Sequence, residues 1–259
     1  MTLADLQAMK QRGEKIAVLT CYDASFAKLM QAAGVEVLLV GDSLGMVLQG
    51  GSDTLGVTMQ DMLYHTDCVS AHISTPLVVT DMPYGSDTSL DEALENATQL
   101  MDAGAHMVKL EGCKTGTVRH LVQHGVVVCG HLGFTPQSVH QLGGYKVQGR
   151  DEAGAQKMVA DALALQQAGA SLLVLEMIPA SLATTITAQL SIPTIGIGAG
   201  IDCDGQVLVL HDVLGMYPGK KLKFTHNFLA ESGNIPAALA AYVTAVKSKT
   251  FPDQQHSFL

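Results

Sequence analysis

The stretch "DAGAHMVKLEG", residues 102–112, decides the fold because it joins a helix end, a buried strand and two charged residues. Gly104 is a typical helix terminator, and the apolar run around Val108 predicts a short strand. Alternation places Lys109 and Glu111 on the same face of that strand, roughly 7 Å apart. Because buried charges must be paired or bound to a metal, this face meets either a wet edge of a sheet or a polar site.

Two other stretches follow the same order. "AAGVEVLLVGD" and "QAGASLLVLEM" also contain a glycine that closes a helix, then a strand, then a carboxylate at the strand's end. The three glycines are Gly34, Gly104 and Gly169. Their spacing corresponds to about two βα units per interval, which indicates a repeating α/β architecture.

The rest of the chain continues this alternation of short apolar runs and helical patterns. The predicted strands are residues 15–20, 35–40, 76–81, 106–111, 126–131, 171–176 and 193–198, with a weaker eighth at 221–226. Residues 89–103 predict a helix with Ser89 as N-cap and Glu92 completing a capping box, and residues 234–248 predict a terminal helix. Eight alternations favour a (β/α)8 TIM barrel, with a doubly wound open sheet as the main alternative. No linker interrupts the chain, so residues 1–259 predict a single barrel domain.

Composition excludes several classes of protein. The net charge of −9 argues against a nucleic-acid partner. The N-terminal residues are polar and charged, which argues against a signal peptide, and no apolar run approaches the roughly 20 residues that span a membrane. The five cysteines are scattered and form no C-x-x-C pair. They therefore predict a reducing, cytoplasmic location.

Charged and polar side chains cluster at the predicted strand ends. In parallel α/β folds, the C-terminal strand ends converge on the active-site mouth. The residues delivered there are Asp42, Asp81, Lys109, Glu111, His131 and Glu176. Taken singly, each also has a structural interpretation as a turn residue, a helix cap, an ion pair or a hydrogen-bonded histidine. Together, so many acids at one mouth would repel one another, and a divalent cation would relieve that repulsion.

Oxygen ligands without paired histidines or thiolates favour Mg²⁺ over zinc. Such a site can chelate a 2-oxo acid and stabilise the enolate formed when a neighbouring C–H proton is removed. That reaction needs a base, and a carboxylate not committed to the metal is a candidate.

At several long motifs the sequence resembles the ketopantoate hydroxymethyltransferase family. These motifs are "VLLVGDSLGMVLQG", "DMPYG", "MVKLEG", "CGHLGFTPQSV", "GGYKVQGR", "LEMIP", "IPTIGIGAG" and "DGQVLVLHD". The resemblance extends from about residue 3 to the "HSFL" end. It implies a (β/α)8 barrel of the phosphoenolpyruvate/pyruvate type and the first committed step toward pantothenate and coenzyme A. One departure is Cys113, where "EGG" is usual, but it lies beyond the expected ligands.

The resemblance also implies roles for individual residues. Asp42, Asp81 and Glu111 match the magnesium-site acids, and Ser43 joins Asp42 and Asp81 in contacting the substrate. Lys109 matches the lysine that holds the oxo acid, and His131 matches a histidine near the substrate. Glu176 matches the proposed base, at the end of strand six and across the barrel from the three acids.

The implied reaction uses 3-methyl-2-oxobutanoate and 5,10-methylenetetrahydrofolate and gives 2-dehydropantoate. Glu176 would remove the C3 proton, and the resulting enolate would attack the methylene carbon. The sequence defines no folate pocket, since the glycine-rich "GIGAG" could equally ease barrel packing. Family analogy implies a homo-oligomer, a decamer of two rings.

Two alternatives remain open, and one loop carries a further prediction. "CGHLG" also resembles the cysteine motif of isocitrate lyase-like C–C lyases, which would make Cys129 a catalytic acid, although an isolated buried cysteine is more typical of packing. A non-catalytic protein that binds or senses an oxo acid would not need Glu176. Residues 135–150, with Gly143, Gly144 and Gly149 as hinges, predict a lid that excludes water, with an ordered interface loop as the alternative.

Overall fold

The computed structural model describes residues 1–219 and 221–259, and within them eight parallel strands close into a barrel. The strands are β1 (Ile16–Thr20), β2 (Val37–Val40), β3 (Leu77–Asp81), β4 (Met107–Glu111), β5 (Val128–Gly133), β6 (Leu172–Glu176), β7 (Thr194–Ile197) and β8 (Gly205–Leu208). Each strand pairs with its neighbour in chain order, and β8 pairs with β1. The predicted (β/α)8 barrel is therefore confirmed, and the open doubly wound sheet is wrong.

Helices surround this barrel. They are α1 (Leu3–Arg12), α2 (Ala24–Ala33), α3 (Leu44–Val47), α4 (Met59–Ser70), α5 (Leu90–Asp102), α6 (Thr115–Gln123), α7 (Glu152–Ala168), α8 (Ala180–Gln189), α9 (Leu210–Val213), α10 (Leu229–Ser232) and α11 (Ile235–Lys247), with a 3₁₀ turn at Pro136–Ser138. None of the described helices is both long enough and apolar enough to cross a bilayer. The predicted terminal helix corresponds to α11, where Asn234 caps the first turn.

At β4, the glycine–strand–carboxylate order forms the helix end and the strand that the sequence predicts. Gly104 has φ 105°, and its N–H and that of Ala105 donate to the last carbonyls of α5. This left-handed turn costs a glycine little and points the chain directly into β4. The predicted capping box at the start of α5 is only half formed. Ser89 accepts from the Glu92 N–H, whereas the Glu92 carboxylate accepts from the Thr88 hydroxyl.

The predicted eighth strand at 221–226 is wrong, because β8 lies at Gly205–Leu208. The connecting residues 198–204, all of them described, contain no helix, so the regular alternation on which the prediction rested ends here. Gly205 is required because a Cβ there would lie 2.4 Å from the Ile16 carbonyl oxygen. The buried Gln206 donates to the Gly200 carbonyl. A glycine and a buried glutamine in a four-residue strand give little apolar signal.

Candidate active site

The strand ends meet at one cavity, at the C-terminal mouth of the barrel. All seven residues predicted from the sequence line it, namely Asp42, Ser43, Asp81, Lys109, Glu111, His131 and Glu176. They come from five neighbouring strands or the turns that follow them, β2 to β6. The parallel register sets their depth, since Asp81 pairs with Lys109 and Glu111 pairs with His131 across adjacent strands.

Lys109 lies at the centre of the polar cluster. Its Nζ is 2.8 Å from Asp81 Oδ1, 3.9 Å from Glu111 Oε1 and 3.2 Å from His131 Nδ1. Burial alone would lower the pKa of Lys109, but the nearby carboxylates outweigh burial and raise it. The lysine is therefore a buried cation held by acids, which explains how a charged pair is tolerated inside a strand.

Asp42 is fixed beside Asp81 by a backbone contact. The Asp42 N–H donates to Asp81 Oδ2 at 3.0 Å. Burial raises the pKa of Asp42 well above its ordinary value, and the Asp81 and Glu111 carboxylates raise it further. Gly41 permits this arrangement, since a Cβ there would lie 2.8 Å from Ser43 Oγ. The backbone thus places two acids closer together than their charges favour.

Glu111 shares this crowding. Burial raises the pKa of Glu111 to about 7, with Lys109 opposing and Asp81 adding to the rise. Glu111 Oε1 and Asp81 Oδ1 are buried and accept no well-directed hydrogen bond from the described residues, although Asp81 Oδ1 keeps its ion pair with Lys109. Two carboxylate oxygens therefore remain with capacity for a further partner.

Gln137 is a site residue that sequence reasoning missed. Its Nε2 donates to Asp42 Oδ2 at 2.8 Å and to the Met82 carbonyl at 2.9 Å, and its backbone N–H donates to Glu111 Oε2 at 3.0 Å. The sequence placed this residue in the 135–150 loop without a role. Its only signal was its position in the loop four residues after the end of β5 at Gly133, which is too general to indicate a contact.

His131 connects the cluster to Glu176. Its Nδ1 faces Lys109, and its Nε2 lies 3.3 Å from Glu176 Oε2. Burial and the Lys109 ammonium lower the pKa of His131, so the ring is neutral. Because Lys109 can only donate, Nδ1 accepts, and the ring proton is then on Nε2, on the side of Glu176 but without a well-directed hydrogen bond to it.

Glu176 occupies a different environment from the other acids. Burial raises its pKa, and His131 opposes that rise. In the strand order, β6 is opposite β2, so Glu176 faces Asp42 across the barrel as expected. Glu111 does not lie across the barrel from Glu176, because β4 is only two strands from β6. His131 on the strand between them has its Nδ1 3.5 Å from Glu111 Oε1. The next residue, Met177, has φ 47°, a backbone conformation that costs a non-glycine residue about 1 kcal/mol and ends β6 abruptly.

Ser43 and Cys129 differ in their access to this mouth. Ser43 lies at the start of α3, and its Oγ is 2.9 Å from the Tyr22 hydroxyl. Cys129 instead lines a smaller cavity deeper in the barrel, below Lys109. Burial raises the pKa of the Cys129 thiol to about 12, and its Sγ contacts the Gly130 carbonyl. A thiol placed there does not reach the mouth.

Within residues 1–219 and 221–259, no three histidine, cysteine, aspartate or glutamate side chains are already spaced to hold a metal ion. The acids at the mouth are instead held by Lys109 and Gln137. Their oxygens nevertheless have the chemistry that Mg²⁺ prefers. Asp81 Oδ1 and Glu111 Oε1, which accept no well-directed hydrogen bond, are both buried beside Lys109. The donor set therefore fits a magnesium ion, with the Gln137 amide as a neighbouring hydrogen-bond donor.

The fold and site together define a (β/α)8-barrel enzyme with a buried carboxylate–lysine cluster at the strand ends. Solved structures with a similar fold include phosphonopyruvate hydrolase in complex with oxalate and Mg²⁺, at TM-score 0.62 and 12% identity over 81% of each chain. Oxaloacetate acetylhydrolase has TM-score 0.64 and 12% identity, over 96% of this chain and 98% of the other. 2,3-Dimethylmalate lyase, a PEP mutase/isocitrate lyase superfamily member, has TM-score 0.55 and 18% identity, over 75% and 72%.

Residues 1–254 match the family model of ketopantoate hydroxymethyltransferase, and the chain belongs to that family. It is 60% identical to the 3-methyl-2-oxobutanoate hydroxymethyltransferase of Azoarcus sp. (strain BH72), over 100% of this chain and 97% of the relative. The enzymes of the same name from Thiobacillus denitrificans and Methylobacillus flagellatus are each 58% identical, over 100% of this chain and 99% and 100% of the relatives. The chain is therefore a hydroxymethyltransferase, a one-carbon transferase.

Proposed function

We propose that this enzyme transfers a hydroxymethyl group from 5,10-methylenetetrahydrofolate to 3-methyl-2-oxobutanoate and so forms 2-dehydropantoate for pantothenate and coenzyme A biosynthesis. The relatives named for 3-methyl-2-oxobutanoate support the acceptor. The observation that carries the proposal is the separation of two carboxylate environments in one cavity. Asp42, Asp81 and Glu111 surround Lys109, whereas Glu176 is partly buried beside His131.

The oxo acid would occupy the Lys109 side of the cavity. The Lys109 ammonium neutralises the substrate carboxylate, Ser43 contributes a hydrogen bond, and the His131 ring lies beside the substrate. Asp42 and Asp81 contact the substrate from the neighbouring strands. Because Lys109 is already held by Asp81 at 2.8 Å, the cation needs no rearrangement to meet an anionic substrate, which favours binding through preorganisation.

Asp42, Asp81 and Glu111 are the residues that would hold Mg²⁺. The fit is supported by carboxylate donors and by the two buried carboxylate oxygens without a directed hydrogen bond. When bound, the ion supplies positive charge beside the oxo group as negative charge develops there. The Gln137 amide, which donates to Asp42 Oδ2, links the 135–150 loop to a proposed ligand, so we expect the loop to respond to the metal.

Glu176 would act as the base. A carboxylate with a raised pKa accepts a proton more readily at neutral pH than an ordinary glutamate does. It takes the single proton from C3, and the electron pair of that C–H bond forms the bond from C3 to the methylene carbon. Both bonds from that carbon to the folate nitrogens N5 and N10 break, and they are replaced by the new C–C bond and by a bond to the hydroxyl group of water. The proton taken from C3 and the remaining proton of water end on the two folate nitrogens. The Nε2 proton of His131 would stabilise the charged form of Glu176.

The test is product formation by the purified enzyme stripped of metal with a chelator. We expect 2-dehydropantoate only when 3-methyl-2-oxobutanoate, 5,10-methylenetetrahydrofolate and Mg²⁺ are all present. Cleavage of a hydroxy acid without folate would identify an isocitrate lyase-like enzyme. Binding of the oxo acid without C3 proton exchange or product would identify a non-catalytic binding protein. Either result contradicts the proposed reaction.

Further properties of the chain are also proposals. The cytoplasm is supported by the five free cysteines, Cys21, Cys68, Cys113, Cys129 and Cys203. Strands from both halves of the chain close the barrel, which supports the proposal that residues 1–259 form one domain. The homo-oligomer, a decamer of two rings, stays a prediction that size measurements in solution would test.

A further inference from the structure

The cavity at the barrel mouth has two chemically different halves. One half carries the charged residues from β2 to β6. The other, from the ends of β6 to β8 and the chain that follows, is lined by apolar and aromatic side chains. These are Val174, Ile197, Val207, Leu208, Val209, Tyr217, Leu222 and Phe224. An anionic oxo acid fits the charged half, so the apolar half is left for a second, less polar ligand.

One acidic side chain interrupts the apolar half. Asp212 lies in the short helix α9, directly after β8, and lines the cavity. Its N–H is bonded to the Val209 carbonyl, and no side chain among residues 1–219 and 221–259 donates a hydrogen bond to its carboxylate. Burial raises the pKa of Asp212 to about 6. A half-buried carboxylate in apolar surroundings needs a partner with hydrogen-bond donors to offset the loss of water.

The shape and chemistry of this half define its ligand. Apolar walls suit the faces of a flat ring system, and a carboxylate suits an edge that carries two neighbouring N–H donors, because it can accept both at once. The aminopyrimidinone edge of a pterin has this pattern, in its ring N–H and exocyclic amino group. Glu176 ends β6, at the border of the two halves. A pterin in the apolar half would therefore present its methylene carbon toward the proton-abstracting side of the oxo acid.

We propose that Asp212 binds the aminopyrimidinone edge of the folate pterin, with the apolar half of the cavity packing against the ring. This assignment rests on the proposed function, since it names the seat of the co-substrate. Asp212 is a binding residue here and takes no part in removing the C3 proton. The residue proposed for that step, Glu176, belongs to the charged half of the cavity.

The test compares 5,10-methylenetetrahydrofolate with its analogue in which a methyl group replaces the 2-amino group. The Asp212→Ala and Asp212→Asn variants are measured beside wild type, with Asp67→Ala, an exposed change on the outer helix α4, as control. Folate-independent exchange of the C3 proton and thermal unfolding show that each variant is folded and binds the oxo acid. The readout is the ratio of kcat/KM for the two folates.

We expect wild type and Asp67→Ala to prefer the amino-bearing folate about tenfold or more, as loss of a charged hydrogen bond predicts. In Asp212→Ala the preference should disappear, with KM for the natural folate raised by a similar factor, and Asp212→Asn should fall between. If Asp212→Ala keeps the wild-type preference, the assignment is overturned while the proposed reaction stands. If wild type exchanges the C3 proton but forms no product with any folate, the proposed function fails, and the pterin seat fails with it.

Discussion

The side-chain amide of Gln137 donates a 2.8 Å hydrogen bond to Asp42, across the mouth of the barrel. The backbone N–H of Gln137 also holds Glu111 at 3.0 Å. One residue of the 135–150 loop therefore contacts two of the three acids that we propose bind Mg²⁺. Because Mg²⁺ would offset the same Asp42 charge that the Gln137 amide now offsets, we predict that metal binding and the position of this loop are coupled.

Gln137→Ala should destabilise the metal-free enzyme by about 1–2 kcal/mol, because it leaves buried Asp42 without its donor. Saturating Mg²⁺ should reduce that loss, since the bound ion would offset the charge of Asp42 in place of the missing donor. Chemical unfolding in chelator and in Mg²⁺ measures both values. Gln148→Ala is the matched control, because among the described residues that side chain donates only to the Lys146 carbonyl within the same loop. Equal losses in the two conditions would disprove the coupling.

The 135–150 loop should change its exposure when the site fills. Tyr145 stacks on Phe134 at 4.7 Å between ring centroids, and its hydroxyl contacts Met46 Sδ at 3.5 Å, so the loop already reaches across the mouth. We expect slower hydrogen exchange and slower proteolysis in this segment when oxo acid and Mg²⁺ are both present. Unchanged protection would favour the alternative of an ordered interface loop.

Asp212 should make the stability of the enzyme depend on pH. Its pKa is raised from 3.8 to about 6 in the folded chain. As pH rises from about 4 to 6, the unfolded chain releases this proton while the folded chain keeps it. The free energy of unfolding therefore falls over this range and is constant with pH above it, as far as Asp212 is concerned. Asp212→Asn removes that dependence. Between pH 4 and pH 7.5 the variant should gain on the order of 2 kcal/mol relative to wild type, measured by urea unfolding. A difference that is constant with pH would contradict this prediction.

The barrel was predictable from sequence because each βα unit repeats a local signal. A helix-ending glycine such as Gly169, an apolar run and a terminal acid can all be read without knowing distant contacts. β8 was missed because its glycine is explained by a distant neighbour, Ile16, and its buried Gln206 by a hydrogen bond to Gly200 that forms only once the intervening loop has folded. Residues 221–226 have the alternating apolar pattern of a strand, but their apolar side chains pack from a loop.

The site divides in the same way. Asp42 and Glu111 could be found because strand ends converge in any parallel barrel. Gln137 could not, since its role depends on how the loop folds back over the acids. The sequence predicted that Glu176 lies across the barrel from Asp42, but not that it lies near Glu111. Its strand is opposite β2, but the histidine that connects it to Glu111 becomes visible only in the barrel's register.

Asp81→Asn should weaken metal-dependent binding of the oxo acid, in contrast to a change at the base. Asp81 contacts Lys109 at 2.8 Å and accepts the Asp42 N–H, so losing its charge disturbs both the cation and the proposed ligand set. Calorimetric titration with 3-methyl-2-oxobutanoate in the presence and absence of Mg²⁺ measures the effect. A variant that binds as wild type does in both conditions would remove Asp81 from the proposed site.

The most direct test of the proposed mechanism is deuterium uptake at C3 of 3-methyl-2-oxobutanoate by Glu176→Gln, without folate. The substitution keeps the shape of the side chain but removes its basicity. The proposed mechanism predicts that Mg²⁺ and oxo-acid binding stay within a few-fold of wild type while exchange falls by at least about a hundredfold, the usual contribution of a general base. Exchange at the wild-type rate would show that Glu176 is not the base, and His131 would be the next residue to test.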